Sequence, residues 1–431
     1  MILRIKSLND KFLDILCKNP NTDNGLYCKP LQNGQVIGNV VDKNEYDVVF
    51  QDEKYSYCPE ESNTIDYQSY CSPLAVLHIC NTLFGHILKS RKEYAETAIK
   101  WLGVTQGEVD NTVCTIEIPS FYIDSNWYRN GRFLLSKYFE DIEVVQQSKC
   151  VFRLTVTGKT VFDTFNLLAL VAVFSHVTNN YGMYTFIDDN LAQKLGRILT
   201  NIDNVPYFVF YLYIMRAVKS VKQFETLKPV FENYLAKNGL KANLVIEGTS
   251  RQRLTFVTNL LEHNIPVLDI GCGELLYYKK MMTLNFAADY YAIDKNPDIE
   301  QIAANISRRY DDKNLFFYNS LDEFTSDEQV NILLTEVIEH NSMEESKKLI
   351  SKAFSYNFNK VIITTPNVEF NSFYSMENKL RHEDHCFELT RDEFKSLITY
   401  CIKGENINVE YFYLGDSLNG IQPVQGCIIK K

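Results

Sequence analysis

Seven residues in two short stretches carry side chains suited to holding a cation. Glu336, Glu339 and His340 form E-V-I-E-H directly after the apolar run NILLT, and Arg381-His382-Glu383-Asp384-His385 follows the run VIITTP. If Glu336 opens a helical turn, positions i, i+3 and i+4 bring Glu336, Glu339 and His340 to one side. Two carboxylates and an imidazole on one face call for a cation between them, and the second stretch offers a fourth ligand across the site. Ligation by carboxylate and imidazole without thiolate suits Mg²⁺, Mn²⁺, Fe²⁺ or Co²⁺ better than structural zinc, and Mn²⁺ or Mg²⁺ is the expected ion. Each stretch taken singly is more often a solvated helix face or a charged loop than a metal site. Their joint position after two neighbouring strands favours the metal.

A second chemistry lies upstream. The run VLD ends in Asp269-Ile270-Gly271-Cys272-Gly273-Glu274, and a helix-forming stretch begins at once. Glycines there let the backbone turn off a strand and approach a ligand at the carboxyl edge of a sheet. Asp294 ends the next strand, where a carboxylate accepts hydrogen bonds from both hydroxyls of a ribose. A dinucleotide loop would carry a third glycine, which G-C-G-E-L lacks, and the acid before the first glycine favours S-adenosyl-L-methionine. Asp269, Gly271, Gly273 and Asp294 are therefore the expected cofactor residues of a methyltransferase.

These loops need a framework. From about residue 245 the pattern alternates strand and helix: RQRLTFVTNLLEH, VLDIG, LLYYKKMMTL, YYAID, IEQIAANISRRY, LFFYN, NILLTE, SMEESKKLISKAFSY, KVIITTP. Five-residue strands separated by longer helices predict βαβ units and a mostly parallel, Rossmann-like α/β sheet. The preceding part mixes short β-branched and aromatic runs (QVIGNVV, YDVVFQ, CTIEIPSF, CVFRLTV) with helical stretches such as FDTFNLLALVAVFSHV, which predicts an α+β domain. Gly248, Thr249 and Ser250 supply a turn and an N-cap. Two domains, 1–244 and 245–431, are expected, in keeping with the length of 431 residues.

With 45% hydrophobic and 23% charged residues and a net charge of −10, the chain is neither disordered nor a basic nucleic-acid coat. Its acidity argues only weakly against a nucleic-acid substrate, since a local basic groove can sit on an acidic protein. Eleven cysteines without a C-x-x-C suggest neither a disulfide framework nor a zinc ribbon, and hence a reducing compartment. The most apolar run, Phe165 to Phe174, is about half a membrane span. A cytoplasmic protein without a membrane segment is expected.

E-V-I-E-H, T-P-N-x-E-F-N (Thr365 to Asn371) and R-H-x-D-H-x-F-E-x-T-R-x-E-F (Arg381 to Phe394) together resemble the metal-dependent RNA 3′-terminal ribose 2′-O-methyltransferases of the HEN family, in their bacterial full-length form. In that form the carboxyl half is the methyltransferase, and an amino-terminal domain activates the RNA ligase of a polynucleotide kinase-phosphatase partner in RNA repair. A weaker amino-half resemblance rests on LDILCKNP and on F-R-L-T-V-T-G-K-T-V-F-D-T-F-N-L-L (Phe152 to Leu168), which looks like a strand-turn-helix segment. The resemblance implies metal ligation by Glu336, Glu339, His340 and His385, with His382 a second ligand or proton acceptor. It places Ser320 and Leu321 beside the adenine, and makes Arg253 (of the pair Gln252-Arg253) and Arg381 RNA phosphate or ribose contacts. His382 and His385 are the implied catalytic pair. The implied substrate is an RNA 3′ end with a free 2′,3′-diol, and the implied assembly a hetero-oligomer. Two positions depart from the family pattern: Leu389 stands for a tryptophan and could alter packing beneath the terminal nucleotide, and Leu275 stands for a glycine and could narrow the approach to the methionine end of the cofactor. Two other readings stay open: a metal-assisted O-methyltransferase of small catechol-like diols, and an adaptor whose main task is ligase activation.

Overall fold

A computed structural model of the chain describes residues 1–16, 26–31, 34–52, 71–103, 112–179, 189–310, 314–376, 380–402 and 407–431. It divides into two compact units, Met1–Tyr234 and Leu235–Lys431.

In the first unit, strands β1 (Ile2–Ser7), β2 (Leu26–Leu31), β3 (Gly34–Asp42), β4 (Glu45–Asp52), β5 (Cys114–Tyr122), β8 (Ile142–Gln146) and β9 (Val151–Gly158) form one sheet in the order β2-β3-β4-β1-β5-β9-β8. All neighbours are antiparallel. The period of two is plain in β1, where Leu3 and Ile5 point inward while Arg4 and Lys6 stay exposed. A small pair, β6 (Tyr128–Arg129) and β7 (Arg132–Phe133), turns through Asn130 and Gly131, both left-handed. The segment Phe152 to Leu168 runs as strand, turn and helix: β9 leads into the helix Val161–Val177, whose N-cap Thr160 accepts from the Asp163 N–H. Only Asp163 of that helix escapes full burial, so its apolar run is a core helix. Among the described residues no helix is long and apolar enough to cross a membrane. The LDILCKNP motif is described only to Leu16, and its last four residues lie outside the described part.

The second unit is built on β11 (Val267–Ile270), β12 (Tyr290–Ile293), β13 (Leu315–Tyr318), β14 (Val330–Thr335), β15 (Phe358–Pro366), β16 (Asn408–Leu414) and β18 (Val424–Lys430), in the order β13-β12-β11-β14-β15-β18-β16. The first five are parallel, and β18 runs antiparallel to both its neighbours. Strands β11 and β14 are buried at every residue, as strands covered on both faces must be. Alternate residues feed two cores. Leu268, Ile332, Leu334 and Ile363 pack with the helices Met343–Ala353 and Arg391–Cys401, while Val267, Leu333 and Ile362 pack with Thr249–Asn259, Leu276–Met282 and Pro297–Tyr310. This is the Rossmann-like α/β architecture expected of the carboxyl half.

The division after Tyr234 lies a little before the boundary expected at 244/245. The intervening segment is tied into the second unit by β10 (Ala242–Asn243), which pairs with β17 (Ser417–Leu418), and by the Lys241 N–H donating to Asn419 Oδ1 at 2.8 Å. Helix Thr249–Asn259 is capped by the Gly248 backbone rather than by a hydroxyl of Thr249 or Ser250, which are already helical. Strand order reverses between β11 and β14, and open α/β sheets bind ligands above such a point at the carboxyl ends of the strands.

Candidate functional site

Three loops meet the carboxyl edge at that point. In the first, following β11, the buried Asp269 accepts from the Tyr290 hydroxyl through Oδ2 at 2.6 Å, while Oδ1 has no partner. Burial pushes this carboxyl up to about 7. Gly271 has φ +74°, and a Cβ there would lie 2.5 Å from Val337 Cγ2, so the glycine loop is pressed against the loop after β14. Gly273, with φ +48°, has open space where a Cβ would point. Its N–H donates to Asp294 Oδ2 at 2.9 Å, and the Asn296 N–H donates to Oδ1 at 2.9 Å. Each Asp294 oxygen keeps a lone pair for a further donor.

In the second loop Glu336 opens no helix. It takes a left-handed conformation, φ +55°, and a short 3₁₀ turn follows at Ile338–His340. Its Oε1 accepts from the Thr364 hydroxyl at 3.1 Å, and Oε2 pairs with Arg253 at 3.1 Å. Glu339 is fully buried: Oε2 accepts from Thr365 Oγ1 at 3.0 Å, and Oε1 has no partner. Burial and the nearby Glu336 carboxylate push Glu339 up to about 8.

The third loop, after β15, folds over the second, and the Cys386 N–H donates to the Glu339 carbonyl at 2.7 Å. It brings His385 edge-on to His340, ring centres 4.9 Å apart, and sets the His382 ring 5.0 Å from that of His385. His340 Nδ1 lies 3.1 Å from Asp384, and His385 Nδ1 lies 2.7 Å from Glu388 Oε1. Ligand atoms of Glu339, His340 and His385 all lie within 4.8 Å of one another. One buried carboxylate with an orphaned oxygen beside two imidazoles is a costly arrangement by itself, and its donor set fits a divalent cation.

These loops sit in a chain whose relatives are informative. Residues 2–236 match the model of the Hen1 N-terminal domain, more than half of the chain. The chain belongs to the Hen1 family. A chain in the structure of the Pnkp1/Rnl/Hen1 RNA repair complex is 46% identical over the full length of both, with a TM-score of 0.90. A small RNA 2′-O-methyltransferase of Xenopus tropicalis is 38% identical over 86 residues, 20% of this chain and 23% of the relative. One of Mus musculus is 28% identical over 202 residues, 41% of this chain and 48% of the relative. The chain thus spans between about a quarter and about half of the length of these two curated relatives.

Of the four ligands expected from the sequence, Glu339, His340 and His385 come together, whereas the Glu336 carboxylate is turned to Arg253, a largely buried cation that needs a counter-charge. Both arginines expected to touch RNA are engaged within the protein, although Arg253 Nε has no partner. Arg253 is spent on Glu336, and Arg381 donates through Nε to Asn371 Oδ1 (2.6 Å) and through its two terminal nitrogens to the carbonyls of Pro423 (2.7 Å) and Asn367 (2.6 Å). His382 is exposed. Ser320 and Leu321 follow β13 at the same edge as Asp294; Leu321 is buried and Ser320 Oγ accepts from the Asp322 N–H. Leu275 does not stand in the approach to the glycine loop: its side chain is completely buried in the core beside Tyr278 and Met281, while its φ of +57° explains why a glycine suits the position. Leu389 lies in the opposite core with Phe394 and Leu397. Sequence reasoning missed Glu388, Asn371, Thr365 and Tyr290 as supports of the site. The first three stand in motifs quoted above, but no spacing marks them as partners of the ligand residues.

Proposed function

We propose that this protein transfers a methyl group from S-adenosyl-L-methionine to the 2′-hydroxyl of the 3′-terminal nucleotide of RNA, with Mn²⁺ or Mg²⁺, as a cytoplasmic component of RNA repair. The observation that carries the reading is the contact of Gly271 with Val337, which joins a nucleoside-type loop to the Glu339, His340 and His385 cluster on one sheet edge. The full-length likeness to a chain of an RNA repair complex supports the partners: a polynucleotide kinase-phosphatase and a ligase that the first unit activates.

Glu339, His340 and His385 would hold the cation, and Glu336 would join them on leaving Arg253. When bound, a divalent ion supplies Lewis acidity toward a vicinal diol, which a ribose ending in 2′- and 3′-hydroxyls offers and a deoxyribose or a 3′-phosphate does not. Asp294 takes the ribose hydroxyls of the methyl donor, Ser320 and Leu321 flank its adenine, and the open side of Gly273 admits it against the backbone. The chain's task in the reaction is alignment of oxygen, methyl carbon and sulfur, with reacting atoms about 3 Å apart. As the O–C bond forms and the C–S bond breaks, the hydroxyl proton passes to His382, which stands exposed beside His385. A positioned base of this kind contributes about 10²–10⁴ in rate.

Methyl transfer to a single-stranded RNA tests the reading. Glu339→Ala should lower the rate at least about a hundredfold while the fold, followed by circular dichroism, persists. A variant as fast as the wild type would refute it.

A further inference from the structure

Beneath His385 lies a chain of buried polar groups whose direction is set from one end. The Arg381 guanidinium can only donate, and its Nε gives a proton to Asn371 Oδ1 at 2.6 Å. That contact fixes the amide: with Oδ1 accepting from Arg381, the Asn371 nitrogen faces Glu388 and donates to Oε2 at 2.6 Å. Glu388, almost fully buried, also receives the Arg381 backbone N–H on Oε1 at 2.7 Å. Two donors of fixed direction, the Asn371 amide and the Arg381 backbone N–H, thus orient one carboxyl group behind the His385 ring. His385 Nδ1 lies 2.7 Å from Oε1, and a proton on Nδ1 would complete the set of donors on this group. The lone pair would then be left on Nε2, the nitrogen free to face Glu339 and His340.

We propose that Glu388, oriented by Asn371 and Arg381, is a positioning residue that sets the tautomer and ring orientation in which His385 binds a divalent cation. The proposal rests on the metal-dependent reading of the site, and it reassigns Arg381 from an RNA contact to the strut that polarises this chain. A carboxylate behind a ligating imidazole fixes its tautomer and raises its basicity, and loss of such a partner typically costs about 10- to 100-fold in metal affinity. It also accounts for the cost of keeping a half-buried arginine together with a buried asparagine and a buried glutamate.

Two readouts on the full chain test it. The first needs no metal: nitrogen-15 chemical shifts of His385 report which ring nitrogen is protonated. Wild type should show the Nδ1–H tautomer, Glu388→Ala a mixture or the Nε2–H form, and Glu388→Gln, which keeps an acceptor oxygen, an intermediate state. The second is Mn²⁺ binding followed by electron paramagnetic resonance, where Glu388→Ala should weaken affinity about 10- to 100-fold and Glu388→Gln less, with unchanged circular dichroism. An unchanged His385 tautomer in folded Glu388→Ala would overturn the proposal, as would unchanged Mn²⁺ affinity. A wild-type chain that binds no Mn²⁺ yet shows the tautomer shift would uphold the positioning of His385 and refute the metal-dependent function instead. If Glu388→Ala fails to fold, Glu388→Gln decides on the same two measurements.

Discussion

At the scale of single residues, the site is a set of groups held at an energetic disadvantage, and this is measurable. Asp269 is buried and its carboxyl is pushed from the ordinary 3.8 up to about 7. A group whose pKa is raised by folding contributes stability that is fully present below the unfolded value and is lost as pH climbs through the folded one. Without cofactor, stability should fall between about pH 4 and pH 7, and Asp269→Asn should remove that slope, worth on the order of 4 kcal/mol across the window. Urea midpoints of the two proteins at several pH values check this; parallel curves would contradict it. Leu275 poses the opposite balance. Its left-handed backbone costs about 1–2 kcal/mol that a glycine would not incur, but removing a fully buried leucine costs about 2–5 kcal/mol, so Leu275→Gly should destabilise by about 2 kcal/mol in thermal unfolding. A more stable variant would show that the side chain packs poorly. Asp269, Asp294, Glu339 and His340 stood out in the sequence because their types and spacing suggest a chemistry, whereas His385 was picked from its charged stretch only by the family resemblance. Glu388 and Asn371 did not stand out, since a neutral amide and a glutamate become informative only when an arginine and a histidine are seen at either end of them.

At the scale of elements, the decisive feature is how few residues lie between each strand end and its functional group. Strand–helix alternation and the carboxyl-edge position were legible from apolar runs of four or five residues, as the strands β11, β12 and β14 show. What failed was the local geometry after β14: spacing i, i+3, i+4 implied a helical turn from Glu336, whereas the chain takes one left-handed residue and a 3₁₀ turn. Sequence periodicity carries no signal for a single residue of positive φ, and the partner that turns Glu336 aside, Arg253, comes from a helix more than eighty positions upstream. The touching loops also make a prediction. Gly271→Ala would drive a Cβ into Val337 and strain the backbone, so it should weaken both S-adenosylhomocysteine binding and Mn²⁺ binding in calorimetric titrations. Loss of only the nucleoside would show that the two loops are independent.

At the scale of the whole molecule, the chain divides into two compact units, so the two tasks proposed for it should be separable by mutation. Glu339→Ala in the full chain should abolish methyl transfer and leave stimulation of partner-ligase adenylylation within about twofold of wild type, as expected when the two activities reside in different units. Joint loss would tie ligase activation to the methyltransferase site. The net charge of −10 is compatible with the proposed RNA substrate when recognition is confined to one terminal nucleotide, because in the proposed function several acidic groups would be committed to cofactor and cation. The central claim is an end-specific, metal-dependent methyl transfer, and one assay meets it most directly: transfer of labelled methyl to an RNA strand ending in a 2′,3′-diol and to the same strand ending in 2′-deoxyribose, each with and without Mn²⁺. Label on the diol strand only, and only with the ion, is the predicted result; label on the deoxy-terminated strand, or equal label without the ion, would contradict it.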